Sequence, residues 1–293
     1  IVPYLEQANL PHILLWSGVF VGVYAVCHYA RIIRWDYLVQ PIGEVETGTV
    51  NRASAVGFAA ILLLPLRLGE LVRPSLLARR SDLAMSSLLA TAVVERVIDG
   101  LFVTGLLFLT LLTYDGGRAT GFARTTGVIA AAIFIPALIV CALALWRRDW
   151  TIGIVEALSR PISEKLADWA TELLDDFIDG FTALADSGSI GGFLGVTVVY
   201  WAINVVSLWL LADFGFGFEL GLWDSATVIA ILVIGIMIPA GPALTGNFEY
   251  FLTKGLALFV AIEAVGAKAA VFAALVHVLQ FVVIVVPGFW VMW

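Results

Sequence analysis

Two short runs place guanidinium and carboxylate groups in otherwise apolar sequence. The first reads Pro65-Leu-Arg67-Leu-Gly69-Glu70-Leu-Val-Arg73-Pro74, the second Thr91-Ala-Val-Val-Glu95-Arg96-Val-Ile-Asp99. Arginine presents a planar fork of donors that grips phosphate or carboxylate bidentately. Glu70 and Arg73 are three apart, Glu95 and Asp99 four apart, so each pair shares a helix face, while Arg96 points about 100° from Glu95. Two readings stand. The charges form a self-paired network that only fixes the chain, or Arg67, Arg73 and Arg96 hold an anionic head group while the acids position the arginines. A third run, Thr245-Gly246-Asn247-Phe248-Glu249, offers Asn247 and Glu249 as further substrate contacts. Glu249 near a helix start is either a cap or a partner for a cationic head-group moiety or for an arginine. His277 and Gln280 share a face of the last apolar stretch and could line a pore. Asn204 more readily bonds another helix.

Other chemistry is thin. The carboxylates Glu95 and Asp99 could do acid–base work, but no nucleophile or metal motif accompanies them, so no catalytic residue, metal or cofactor is expected. No phosphate-loop motif for ATP occurs. Cys27 and Cys141 read as buried small hydrophobes.

The composition says what must position these groups. Of 293 residues, 61% are hydrophobic and only 13% charged, against about 45–50% and 25% in a soluble domain. A compact chain of this size cannot hide that much apolar surface, so the bilayer is its solvent. The net charge of −7 argues against nucleic acid as a partner. About 20 apolar residues cross a bilayer. Leu10–Ala30, Thr125–Trp146, Ser187–Ala212 and Ala269–Trp293 qualify without Asp, Glu, Lys or Arg, and Met85–Thr113 qualifies in length while carrying Glu95, Arg96 and Asp99. Trp16, Trp35, Trp146, Trp150, Trp223 and Trp290 fit interfacial belts, and His12 and His28 fit the same depth.

Two runs stop short and resume. Ala53–Leu64 breaks at Pro65 and Gly69 and continues to Ala78; Ser225–Ile238 breaks at Pro239, Gly241, Pro242 and Gly246 and continues to about Ile262. Proline ends a helix and glycine permits reversal, which predicts two re-entrant hairpins, 53–80 and 225–262. Arg31, Arg34, Arg52, Arg79, Arg80, Arg147 and Arg148 fall on the cytoplasmic side, against Arg118, Arg124 and Lys268 outside. On that count the hairpins enter from opposite sides, as in an inverted repeat, and their tips meet at a cavity. Residues 149–186 hold nine acids and two bases and so carry the whole net charge. Ile162, Leu166, Trp169, Leu173, Phe177, Phe181 and Leu184 recur there at helical spacing, predicting a cytoplasmic amphipathic helix that either links the bundle or docks a partner. The expected architecture is an all-α polytopic membrane protein: one domain, 1–293, of about five spans, two opposed hairpins and that helix.

The charged runs resemble the lysylphosphatidylglycerol synthase transmembrane family, which includes the flippase half of the bacterial multiple peptide resistance factor and stand-alone flippase-like proteins. The resemblance is most specific over Pro65–Arg73, Arg79–Arg80 and Glu95–Asp99. The second family motif, Pro-Gly-Gly-x-Gly-x-x-Glu, appears as Pro242-Ala243-Leu244-Thr245-Gly246-Asn247-Phe248-Glu249, with the glycine pair replaced. The family's asparagine one turn before the first proline is also replaced, by Ile61 or Leu62. The resemblance implies a multi-pass inner-membrane flippase for lipids with polar or anionic head groups, such as aminoacyl-phosphatidylglycerol or polyprenyl-phosphate-linked lipid. No soluble synthase domain accompanies it, so synthase activity is not implied. The alternative is a non-transporting accessory subunit of a membrane glycosyltransferase or lipid-synthesis enzyme. Membrane lipids, such an enzyme and a second copy of the chain are the expected partners.

Overall fold

The computed structural model describes residues 8–113, 120–186, 188–238 and 241–292. Pro239 and Arg118 lie outside them, and the side chains of Phe181 and Leu184 are outside the described set too. Every described element is helical: α1 Leu10–Ile33, α2 Asp36–Val39, α3 Thr47–Leu63, α4 Gly69–Ala78, α5 Met85–Thr113, α6 Thr120–Trp146, α7 Arg148–Ser159, α8 Glu164–Asp186, α9 Ser189–Trp209, α10 Leu222–Ile236, α11 Asn247–Leu256 and α12 Ile262–Trp290. Four stretches, Leu10–Ile42, Gly121–Trp146, Ser189–Gly215 and Gly266–Trp290, are long and apolar enough to cross a membrane. At 29 residues, α5 is as long as α12, but its charges set it apart from the four.

The two broken runs are helical hairpins, α3–α4 and α10–α11. Their packing is exchanged. The first arm of each lies on the long helix that follows the other hairpin, α3 on α12 and α10 on α5, while each second arm lies on its own successor, α4 on α5 and α11 on α12. The helices preceding the hairpins, α1 and α9, pack on each other. Apart from α2 and α6–α8, the described helices thus form two units of one kind, a long helix, a hairpin and a long helix, with their packing exchanged.

The bends match as well. Pro65 starts a single 3-10 turn in which Leu66 and Arg67 are left-handed, φ 54° and 59°; Pro242 starts the same turn with Ala243 and Leu244 at φ 56° and 57°. Ala243 and Leu244 stand where the motif that this run resembles has its glycine pair, residues that take such a φ without strain. Gly246, at φ 82°, then opens α11. Gly69 does something different: a Cβ there would sit 2.1 Å from the Ile61 nitrogen and 2.2 Å from the Ala60 carbonyl carbon. It lets α4 turn back flush against α3.

Helices α7 and α8 pack on each other, and α8 lies along α5. The Ser86 hydroxyl donates to Asp176 (2.7 Å), and Arg148 forks onto Asp175 and Asp179. Of the apolar stripe, Ile162, Leu166 and Trp169 are exposed, as are Trp150, Ile154 and Leu158 of α7, while Leu173 and Phe177 are half-buried; Ala167 and Ile178 beside the stripe are buried, and Gly180 lies against Ser87. Small residues mark the packed face because they let α5 approach. Two expected interfacial residues are also interior: Trp35 is fully buried, its indole donating to Thr91 (3.0 Å), and His28 is buried beside Phe58.

Gly69→Ala should therefore cost about 1–3 kcal/mol or more from overpacking, read as a lowered melting temperature of the detergent-solubilised chain. Gly18→Ala, with nothing within 4 Å of its added carbon, should be close to neutral.

Candidate functional site

Glu95 is buried on α5 and is the centre of the charge network. Its Oε1 accepts from Arg34 (2.8 Å) and Arg96 (2.9 Å), and its Oε2 accepts from Arg73 (2.5 Å). One turn on, Asp99 accepts both Nη1 and Nη2 of Arg34, at 2.7 and 2.6 Å, and the Trp201 indole at 3.3 Å. Arg34 also reaches Thr197 and lies over the rings of Tyr200 and Phe193. At the first tip, Arg67 donates to Glu70 (3.2 Å), whose other oxygen stands 3.8 Å from Arg96. The second guanidinium nitrogen of Arg67 crosses to the other hairpin and donates to the Ile236 carbonyl at 3.0 Å. The two tips are joined by that bond.

Above this network opens a pocket bounded by both hairpins and by α1, α5, α9 and α12. Arg31, Arg67, Arg96 and Asp99 line it, as do His277 and Gln280 and the neutral Tyr24, Tyr200, Trp201 and Asn204; the rest of its wall is apolar. Arg31 sits with its guanidinium 4.0 Å from the Phe58 ring centroid, and no carboxylate among the described residues pairs with it. Across network and pocket, Arg31, Arg34, Arg67, Arg73 and Arg96 face only Glu70, Glu95 and Asp99, which leaves an excess of two positive charges. The Nε atoms of Arg31, Arg67 and Arg96 and the Oδ1 of Asn204 are buried with no hydrogen-bond partner. Guanidinium groups in excess of carboxylate at a low-dielectric pocket favour an anion that carries several oxygens.

The expected site residues divide. Arg67, Arg96 and Asp99 line the pocket, with Glu70 close behind Arg67. Arg73 is buried against Glu95 and under Trp35, 4.4 Å from the ring centroid, and does not reach the pocket. Glu95 lies beneath it too. Asn247 donates to the Gly235 carbonyl (3.0 Å) and ties the second hairpin to itself. Glu249 caps Gly246 (2.8 Å) and meets His277 at 2.6 Å. Arg31 and Arg34 correct an expectation: counted as cytoplasmic loop charges, they are a pocket wall and the most enclosed cation of the network. Their spacing of three, next to Trp35 and opposite two acids short of partners, is the signal that was available.

Removing Glu95 leaves Arg34, Arg73 and Arg96 facing one another out of water. Glu95→Ala should cost about 3–5 kcal/mol, seen as loss of the monodisperse peak in size-exclusion chromatography. Glu70→Gln, in a half-open setting, should keep that peak.

The sequence profile described as "Lysylphosphatidylglycerol synthase TM region" matches residues 4–288. Among curated proteins, glycosyltransferase AglD of Haloferax volcanii is 24% identical over 292 residues, covering 91% of this chain and 46% of the relative. The chain thus spans about half the length of that protein. No solved structure matches it.

Proposed function

We propose, since this chain belongs to the lysylphosphatidylglycerol synthase transmembrane family, that it moves lipids with anionic, phosphate-bearing head groups between the leaflets of the inner membrane. The observation that carries this is the excess of guanidinium over carboxylate at a pocket between two joined hairpin tips. The head group enters sideways and meets Arg31, Arg67 and Arg96, while the acyl or isoprenoid chains stay among the apolar helices. In this reading the hairpins are re-entrant and approach from opposite leaflets. Their exchanged packing is what such a repeat requires, and rocking one unit against the other opens the pocket to each side in turn. Asp99 and Glu70 hold two of the arginines so that the guanidinium planes do not collapse onto each other.

A second reading has one observation in its favour, the glycosyltransferase name of a relative that this chain spans for less than half its length. Here the chain serves a membrane glycosyltransferase, with the outward apolar face of α7 and α8 as its contact. The two readings separate on whether the isolated chain moves lipid.

Arg31 gives the cleaner test, because removing it strands no carboxylate. The purified chain in liposomes should move fluorescent phosphatidylglycerol, followed by dithionite quenching, faster than empty liposomes. Arg31→Ala and Arg67→Ala should each slow it about tenfold, the loss of roughly 1.4 kcal/mol of charge-assisted contact. A wild-type rate no faster than that of empty liposomes would refute the translocase reading, and variants as fast as wild type would refute the role given to the arginines. Lipid movement or sugar transfer that appears only with a co-purifying glycosyltransferase would favour the second.

A further inference from the structure

Among the residues lining the pocket, His277 of α12 lies between two oxygens. Its Nε2 is 2.7 Å from the Ala243 carbonyl and its Nδ1 is 2.6 Å from Glu249 Oε1. A carbonyl has no proton to give, so Nε2 carries the hydrogen of that bond. Neither the lone pair of Nδ1 nor a carboxylate oxygen can donate to the other, so the second contact needs a proton as well. It sits on His277 as an imidazolium or on Glu249 as a carboxylic acid; either way the pair holds one more proton than a neutral ring beside a carboxylate. The ring cannot swing aside, because Phe248 stacks on it at 4.4 Å and 12°. The second oxygen of Glu249 is fixed by the Gly246 amide at 2.8 Å.

Losing that proton breaks the arrangement. Two acceptors would face each other at 2.6 Å, and shifting the ring hydrogen to Nδ1 would set a bare Nε2 against the Ala243 carbonyl instead. One of the two bonds tying α12 to the second hairpin has to open, and Ala243 is one of the left-handed residues of that hairpin's bend. The first tip has no such release, since Arg67 holds the Ile236 carbonyl with a group that keeps its protons. The other ionisable groups lining the pocket are Tyr24 and Arg31 from α1, Arg67 from the first tip, Arg96 and Asp99 from α5, and Tyr200 from α9. Among the described residues, Glu249 is the only carboxylate paired with His277.

We propose that the chain binds one exchangeable proton between His277 and Glu249 and couples its uptake and release to movement of the second hairpin, so that a proton gradient drives lipid across. The coupling rests on the translocase reading above; the proton site does not. Protonation at one face ties the hairpin to α12, and release to water at the other face frees it, so the proton crosses with the cycle and no other reactant is consumed.

The test uses the full chain in liposomes containing fluorescent phosphatidylglycerol, with the membrane potential clamped by potassium and valinomycin. With one proton per lipid, a pH difference of about one unit should shift the steady-state leaflet ratio about tenfold. Glu249→Gln, whose amide donates to Nδ1 and whose oxygen still accepts from Gly246, should hold the ratio at unity whatever its rate. Wild-type movement with a ratio of one under the gradient overturns the coupling and leaves the translocase reading intact. No movement beyond empty liposomes overturns both. The proton site is read independently from ¹⁵N-histidine spectra of the chain in nanodiscs, with His12→Gln and His28→Gln for assignment. An Nε2 protonated across the pH range, with a second proton lost from the pair in a single step, supports the site; a bare Nε2 at neutral pH overturns it.

Discussion

A carboxylate sealed from water and lipid alike must find all of its donors within the protein, or the chain does not hold its shape. Glu95 meets that condition with guanidinium groups from three elements: Arg34 from the end of α1, Arg73 from α4 and Arg96 from its own helix. A buried ion pair adds little stability over an apolar replacement, but a broken one is costly, so such a cluster acts chiefly to specify one arrangement. Here it sets the register of the first hairpin against α5 and brings α1 inward. Arg31, one turn before Arg34, is carried with it to the pocket. Arg96, which lines the cavity, is held by the same acid beneath it.

The same logic explains why the pocket is cationic. Each acid is already committed: Glu95 to three arginines, Asp99 to Arg34 and Trp201, Glu70 to Arg67. The arginines outnumber these acids by two, and Arg31, Arg67 and Arg96 line the chamber. The histidine of the pocket, His277, is bound to Glu249 of the second hairpin rather than to the acids that hold the arginines. The two units of the fold have therefore diverged in chemistry while keeping their packing, one holding charge permanently and the other holding a proton.

Much of this was legible in the residues. Proline and glycine inside short apolar runs announce a reversal whatever the surroundings, because they act through the backbone, and both hairpins appear where Pro65 and Pro242 stand. The charged residues of α5 were legible for a similar reason, as few explanations exist for Glu95 and Asp99 in apolar sequence. What failed was anything decided by tertiary direction. Arg34 looks like a loop cation because it follows a span; only the tilt of α1 toward Asp99 buries it. Trp35 and His28 read as interfacial for the same reason. On α8 the bulky residues Leu166 and Trp169 stay exposed, while the contact with α5 goes through Gly180 against Ser87 and Asp176 with Ser86. Size and hydrophobicity indicate what leaves water, not which neighbour arrives.

The paired bends have an evolutionary consequence. Leu66, Arg67, Ala243 and Leu244 all occupy a backbone region that costs an L-residue with a side chain roughly 1 kcal/mol or more, and β-branched residues most of all. Drift at these four sites is channelled: glycine and asparagine enter freely, valine, isoleucine and threonine are barred. Arg67 alone is held against that relief by its reach to the opposite hairpin. Natural variants of this chain should then show glycine creeping into three of the four places and arginine persisting in the fourth.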